Sequence, residues 1–113
     1  MDSILNTVKK LLGISEYDDS FDTDLIIHIN SVFTILNQLG VGPEEGYSIS
    51  DNNNTWDEFI PASGPLMEAV KSYVYLKVRL GFFDPPTSSA VINALNSSIN
   101  ELEFRLKVLV ETY

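Results

Sequence analysis

Six aliphatic residues near the end of the sequence impose the strongest constraint on its fold. Their spacings are 3, 4, 3, 4 and 3 residues, and they are Ile92, Leu95, Ile99, Leu102, Leu106 and Leu109. This spacing places all six on one side of an α-helix. It predicts a helix over residues 88–110, about 35 Å long at 1.5 Å per residue. A seam of this length favours packing in a helix bundle over a free coiled coil.

Three further helices are predicted upstream, over residues 3–12, 22–39 and 65–80. Each is followed by a glycine that can end a helix, namely Gly13, Gly40 and Gly81. The N-cap of the second helix is expected from Asp19, Ser20 or Asp22. The apolar face of that helix covers about half its circumference, so it needs two neighbours to bury it.

The connection over residues 41–64 is rich in glycine, proline and asparagine, and a connection of this length usually has a function. Residues 47–50 alternate like a short strand of a hairpin, and Thr55 with Glu58 matches a capping box that starts a helical turn. At 113 residues the chain can build one core. The sequence therefore predicts a single all-α domain over residues 1–113: a small bundle of about four helices with a long irregular loop between the second and third.

Charge is distributed unevenly along the chain, with 16 acids against 7 bases in total. Residues 1–62 hold 11 of the acids and 2 of the bases. Nucleic-acid binding normally needs clustered cations that release counterions, so this balance disfavours it. Without cysteine there is no disulfide framework, and no signal peptide or membrane span is expected.

The sequence carries little that could perform catalysis or hold a metal. His28 is the only histidine, and without cysteine there is neither a zinc-site spacing nor a Cys-His pair. His28 lies at the edge of an apolar face, which favours a partly buried structural role. Residues 51–58 resemble a calcium loop only superficially, because Trp56 and Ala62 stand where glycine and glutamate are required. The prediction is therefore a protein without catalytic residues, cofactor or metal.

Lys77 departs from the pattern of a plain bundle, because it projects from the apolar face of the third helix. A buried, unpaired ammonium is too costly to persist. Lys77 either extends its charge to water past the helix end or pairs with Asp22, Asp24 or an acid of a neighbouring subunit.

A second departure is the pair Phe104 and Val108, which lies away from the seam of the last helix. Packing on the first helix and contact with a partner protein explain this pair equally well. Ile27, on the polar face of the second helix, adds to the partner interpretation.

Several segments, taken in order along nearly the whole chain, resemble the head-tail connector (adaptor) proteins of long-tailed phages and prophages. They are residues 10–14 (KLLGI), 28–31 (HINS), 36–43 (LNQLGVGP), 69–80 (AVKSYVYLKVRL), 84–89 (DPPTSS) and 101–106 (ELEFRL). The family often has Trp where Phe104 stands, and Gly81-Phe82-Phe83 is a mild departure from its pattern.

The resemblance implies a structural virion protein that forms a ring, usually twelvefold, beneath the portal of a DNA-filled head. Its partners would be copies of itself, the portal protein and the next neck or tail-completion protein, with DNA passing through and no membrane involved. It would be located in the virion neck, and in the host cytoplasm during assembly. The residues hypothesised for subunit contacts are Asp22, Asp24, Ile27, Lys77 and Arg79. Those hypothesised for docking to the portal or tail are Trp56, Phe104, Val108 and Leu109.

Two other classes of protein remain open at this point. An acidic helical interaction protein that mimics DNA, or inhibits a host factor, would carry carboxylates at phosphate-like spacing along one exposed helix. A small hydrolase is disfavoured because no nucleophile and base are paired.

Overall fold

Five helices form in the computed structural model, which describes residues 2–61, 64–81 and 87–111. They are α1 (Ile4–Leu11), α2 (Asp22–Gln38), α3 (Trp56–Phe59), α4 (Pro65–Gly81) and α5 (Ser89–Glu111). Within these residues no strand forms, and the radius of gyration of 13.7 Å is that of a compact globule. The predicted all-α class is confirmed, and α3 is the helical turn that the capping box indicated.

Helix α4 occupies the middle of the bundle and contacts α1, α2 and α5. The long helix α5 packs mainly on α4, with Ile99 and Leu106 of the heptad seam buried and the other four seam residues half-buried. It is a bundle helix, as the seam predicted. The broad apolar face of α2 is covered by α1 and α4, which are the two neighbours that it needed.

The ends of α2 are set by different means. At its C-terminus Gly40 has a φ of +84°, and the N–H of Val41 donates to the carbonyl of Leu36 at 2.9 Å. This is a Schellman motif with a glycine in the left-handed region. At its N-terminus the expected side-chain cap does not form: Phe21 occupies the N-cap position and no side chain bonds there. The carboxylate of Asp22 is engaged by a lysine of α1 instead.

The loop between α2 and α3 is attached to α2 by two asparagine side chains one heptad apart. Asn30 donates to the carbonyl of Ile49 at 3.0 Å and accepts from its N–H at 2.8 Å. Asn37 donates to the carbonyls of Pro43 and Glu44 at 3.0 and 3.3 Å. The short strand expected over residues 47–50 is therefore absent, because the backbone groups of Ile49 bond to a side chain rather than to another strand.

An aromatic cluster fills the space between this loop and α2. Phe33 of α2 contacts the rings of Tyr47, Trp56 and Phe59 at centroid distances of 5.4, 6.4 and 4.6 Å. Gly42 passes so close to Phe59 that an added Cβ would lie 2.4 Å from its ring. The loop is thus packed onto the bundle, although most of it has no regular secondary structure.

Candidate interaction surfaces

No group of three or more His, Asp or Glu side chains in the described ranges is placed to hold a metal ion. His28 is half-buried within α2, as expected for a structural residue. Over the same part of the chain, no helix combines the length and hydropathy that crossing a membrane requires.

Among the described residues the buried charged side chain is Lys9 of α1, and no pattern in the sequence marks it as buried. Its side chain is 1% exposed, and Nζ lies 2.9 Å from Oδ1 of Asp22 and 3.2 Å from the carbonyl oxygen of Glu16. These contacts join α1, the loop after it and the start of α2. The carboxylate of Asp22, which the sequence offered to Lys77 or a neighbouring subunit, is thus bound within its own chain.

Lys77 is half-buried on α4 and forms no ion pair with any described residue. Asp24 is exposed, and its carboxylate likewise has no partner among the residues described. Arg79 donates to the hydroxyl of Tyr75 one turn earlier, at 3.2 Å. These three side chains are accessible, at least in part, for contacts between subunits.

Trp56 is a core residue in this structure. It is 3% exposed, its indole N–H donates to Oγ1 of Thr7 at 3.1 Å, and Nζ of Lys71 lies 5.9 Å from the centre of its ring. A docking role needs exposed surface, and Trp56 offers almost none. The residue follows the capping box at Thr55, and its indole contacts Thr7 of α1 and Phe33 of α2.

Phe104 and Val108, by contrast, are exposed on α5, with 68% and 44% of their surface accessible. Packing on α1 is thereby excluded as their explanation. With Pro65, Ala69 and Leu109 they line an open groove of about 500 Å³ between the start of α4 and the end of α5. We call this the α4–α5 groove.

One ion pair lies in the otherwise apolar lining of the α4–α5 groove. Arg105 donates through Nε and Nη2 to Oε1 of Glu101, at 3.1 and 2.7 Å. Nearby, the hydroxyl of Tyr73 donates to Oε2 of Glu103 at 2.7 Å and ties α4 to α5. Burial, together with this bond to a carboxylate, raises the pKa of Tyr73 well above its ordinary value. The phenol therefore stays protonated, and the two helices that form the groove are held together.

The outer face of α2 is another exposed surface that carries a large apolar side chain. Ile27 is 58% exposed, and Asp24, Ser31 and Thr34 lie on the same side of the helix. The hydroxyls of Ser31 and Thr34 donate to backbone carbonyls one turn earlier, at 3.1 and 3.2 Å. We call these four residues the α2 outer face.

A wider open groove, of about 930 Å³, runs beside α1 and is lined mainly by polar and charged side chains, among them Asn6, Lys10 and Glu16. Neither groove encloses a ligand-sized cavity with convergent polar groups. Both are open to solvent, which suits contact with another protein better than the binding of a small molecule.

Comparison with known protein families identifies the kind of protein that carries these surfaces. Residues 4–112 match the family model described as Phage connector protein, which is nearly the whole chain. The chain belongs to the phage connector protein family. The match confirms the resemblance found in the sequence. No curated protein and no solved structure matches significantly, so this phage connector protein is placed by the family model alone.

Proposed function

We propose that this phage connector protein is a structural subunit of the virion neck that joins the DNA-filled head to the tail. The observation that carries the proposal is the family match over residues 4–112. The subunits form a ring, usually twelvefold, beneath the portal protein, and the ring presents a platform for the next neck or tail-completion protein. The protein performs no catalysis and uses no cofactor.

The charge of the chain supports a role beside DNA without binding to it. The net charge is −9, and the acids are concentrated in the first half of the sequence. A channel lined by such subunits repels the phosphate backbone, so DNA can pass without being retained. We propose this lining as a consequence of ring assembly.

The alternative of a DNA mimic receives less support from the positions of the acids. Many exposed carboxylates lie in loops or at helix starts, for example on Asp19, Glu44, Asp51 and Asp57. A mimic needs them in a row along one exposed helix. The outer face of α2 carries only Asp24 as a carboxylate among its apolar and hydroxyl side chains.

The direct test is binding to DNA-filled heads that carry the portal but lack their connector. The expected result is a ring below the portal in electron micrographs and recovery of tail attachment when the purified protein is added. Light scattering at rising protein concentration should show weak self-association in solution. A strictly monomeric protein that leaves such heads unbound refutes the proposal.

A further inference from the structure

The α4–α5 groove sets conditions on whatever occupies it. Phe104 and Val108 form its apolar surface, and Arg105 at its side has N–H donors beyond the two that bind Glu101. A fitting occupant presents an apolar side chain with a carboxylate close to it. The sequence-based hypothesis gave this groove to the portal protein, but a surface of this chemistry exists on the chain itself.

That surface is the α2 outer face. Ile27 is its exposed apolar side chain, and Asp24 lies three residues earlier on the same side of the helix with no described partner for its carboxylate. Ser31 and Thr34 complete the face with hydroxyls that already donate within α2. Burying them therefore leaves no hydroxyl donor without an acceptor.

We propose, on the basis of the ring assembly above, that the α4–α5 groove of one copy takes the α2 outer face of the next copy. Ile27 packs against Phe104 and Val108, and Asp24 pairs with Arg105. A large apolar side chain beside a carboxylate fits an apolar groove that carries one guanidinium.

The placement of the two surfaces requires that the contact be made between copies. Helix α4 contacts both α2 and α5, whereas α2 and α5 have little contact with each other. They approach at their C-terminal ends, where a Cβ on Gly40 would lie 3.8 Å from Val110. Ile27 is thirteen residues before Gly40, about 20 Å away along the helix. Within one copy Ile27 thus lies away from the end of the groove that Val108 and Leu109 form.

A contact between two different surfaces is heterologous, and such contacts close into rings when the rotation between copies permits. The charge distribution favours the same arrangement. The acidic half of the chain contributes the α2 outer face, while residues 63–113 hold 5 acids and 5 bases. Pairing two α2 faces would bring like charges together, and pairing α2 with α5 does not.

Cysteine cross-linking tests the contact directly, because the natural chain has no cysteine. The double variant Ile27→Cys/Val108→Cys is oxidised on portal-bearing heads and in concentrated solution. On a non-reducing gel we expect a ladder of dimers, trimers and higher species. Each single variant should remain monomeric, since residue 27 of one copy faces residue 108 of the next.

The outcomes separate this inference from the proposed function. Dimers from either single variant overturn the inference, because they show that like surfaces pair. Rings on the heads without a ladder of cross-linked species also overturn the inference. The groove would then belong to a contact with the portal or another partner, and the proposed function would stand. Failure of the unmodified protein to bind the heads refutes the proposed function itself.

Substitutions on the two surfaces give a second, independent readout. Asp24→Arg and Arg105→Asp should each weaken self-association roughly tenfold, and the double variant should recover most of it. Val108→Ser should weaken association by a similar factor. Val91→Ser is the matched control, because Val91 is also 44% exposed on α5 but lies near its other end. Equal effects of the two serine variants overturn the inference.

Discussion

Removing the carboxylate of the buried Lys9–Asp22 pair should destabilise the protein, whereas replacing the lysine with methionine should not. In Asp22→Ala the ammonium of Lys9 stays buried, with the carbonyl of Glu16 as its remaining partner. Breaking a buried pair from one side costs about 3–5 kcal/mol. The side chain of Asp22 is 28% exposed, so water can reach part of the site and the lower end, about 3 kcal/mol, is expected.

In Lys9→Met the buried charge is replaced by an apolar chain of similar length. Oδ1 of Asp22 is itself buried, but the side chain is 28% exposed and can turn its carboxylate toward water. The stability should stay within about 1 kcal/mol of the natural chain. The double variant Lys9→Met/Asp22→Ala should be far more stable than Asp22→Ala alone. Such non-additivity is the signature of a direct interaction.

Urea denaturation followed by circular dichroism of the helices measures these differences in the free energy of unfolding. In thermal unfolding, Asp22→Ala should lower the melting temperature by about 12 °C, at roughly 4 °C per kcal/mol. Asp24→Ala is the matched control. Both acids lie in the first turn of α2, so both favour the helix dipole, but only Asp22 meets a lysine. If Asp22→Ala is no less stable than Asp24→Ala, the assignment of stability to the ion pair is refuted.

Three further predictions concern other parts of the chain. Gly42→Ala should lower the free energy of unfolding by about 2 kcal/mol or more in urea denaturation, because Gly42 has a φ of +91° and an added Cβ would strike Phe59. Gly46→Ala should lower it less, because Gly46 has a φ of +88° but open space around it. Equal losses would contradict the clash. Burial raises the pKa of Tyr47 to about 12. The protonated phenol therefore contributes fully to stability below pH 10, and this contribution is lost as the pH rises from 10 to 12. Tyr47→Phe should flatten this part of the alkaline unfolding curve, and an unchanged curve would count against the prediction. Lys77→Met should fold at least as stably as the natural chain but lose ring specificity if Lys77 pairs with a neighbouring subunit, while normal assembly on heads would show that the lysine only extends its charge to water.

The helices of the bundle were predictable because their signals are local. The heptad seam of α5 and the glycine after α2 depend only on spacing along the chain, and both were found where the sequence placed them. The strand expected over residues 47–50 failed for the opposite reason. Its pattern is local, but the partner of Ile49 is Asn30, nineteen residues away.

Burial of individual side chains was harder to predict. Lys9 lies in the last turn of a short helix, where a lysine is ordinarily exposed, and only the approach of Asp22 explains its burial. Trp56 is one of the residues hypothesised for docking to the portal or tail, yet at the start of α3 it is buried in the core. The position of Phe104 and Val108 off the seam fits either an exposed surface or packing on α1. Only the arrangement of α4 and α5 shows that the two side chains are exposed.

The two asparagines of α2 hold the loop by its backbone rather than by its side chains. Asn30 and Asn37 bond to the backbone groups of Ile49, Pro43 and Glu44. Every residue carries a backbone carbonyl, and every residue except proline carries a backbone N–H. These attachments therefore do not depend on exposed side chains at the bonded positions. Further along the loop, the exposed carboxylates of Asp51 and Glu58 accept from the N–H groups of Asn53 and Thr55. An engineered loop can therefore carry new residues at exposed positions such as Glu44 and Glu45, provided that both asparagines and the bonds of Asp51 and Glu58 are kept.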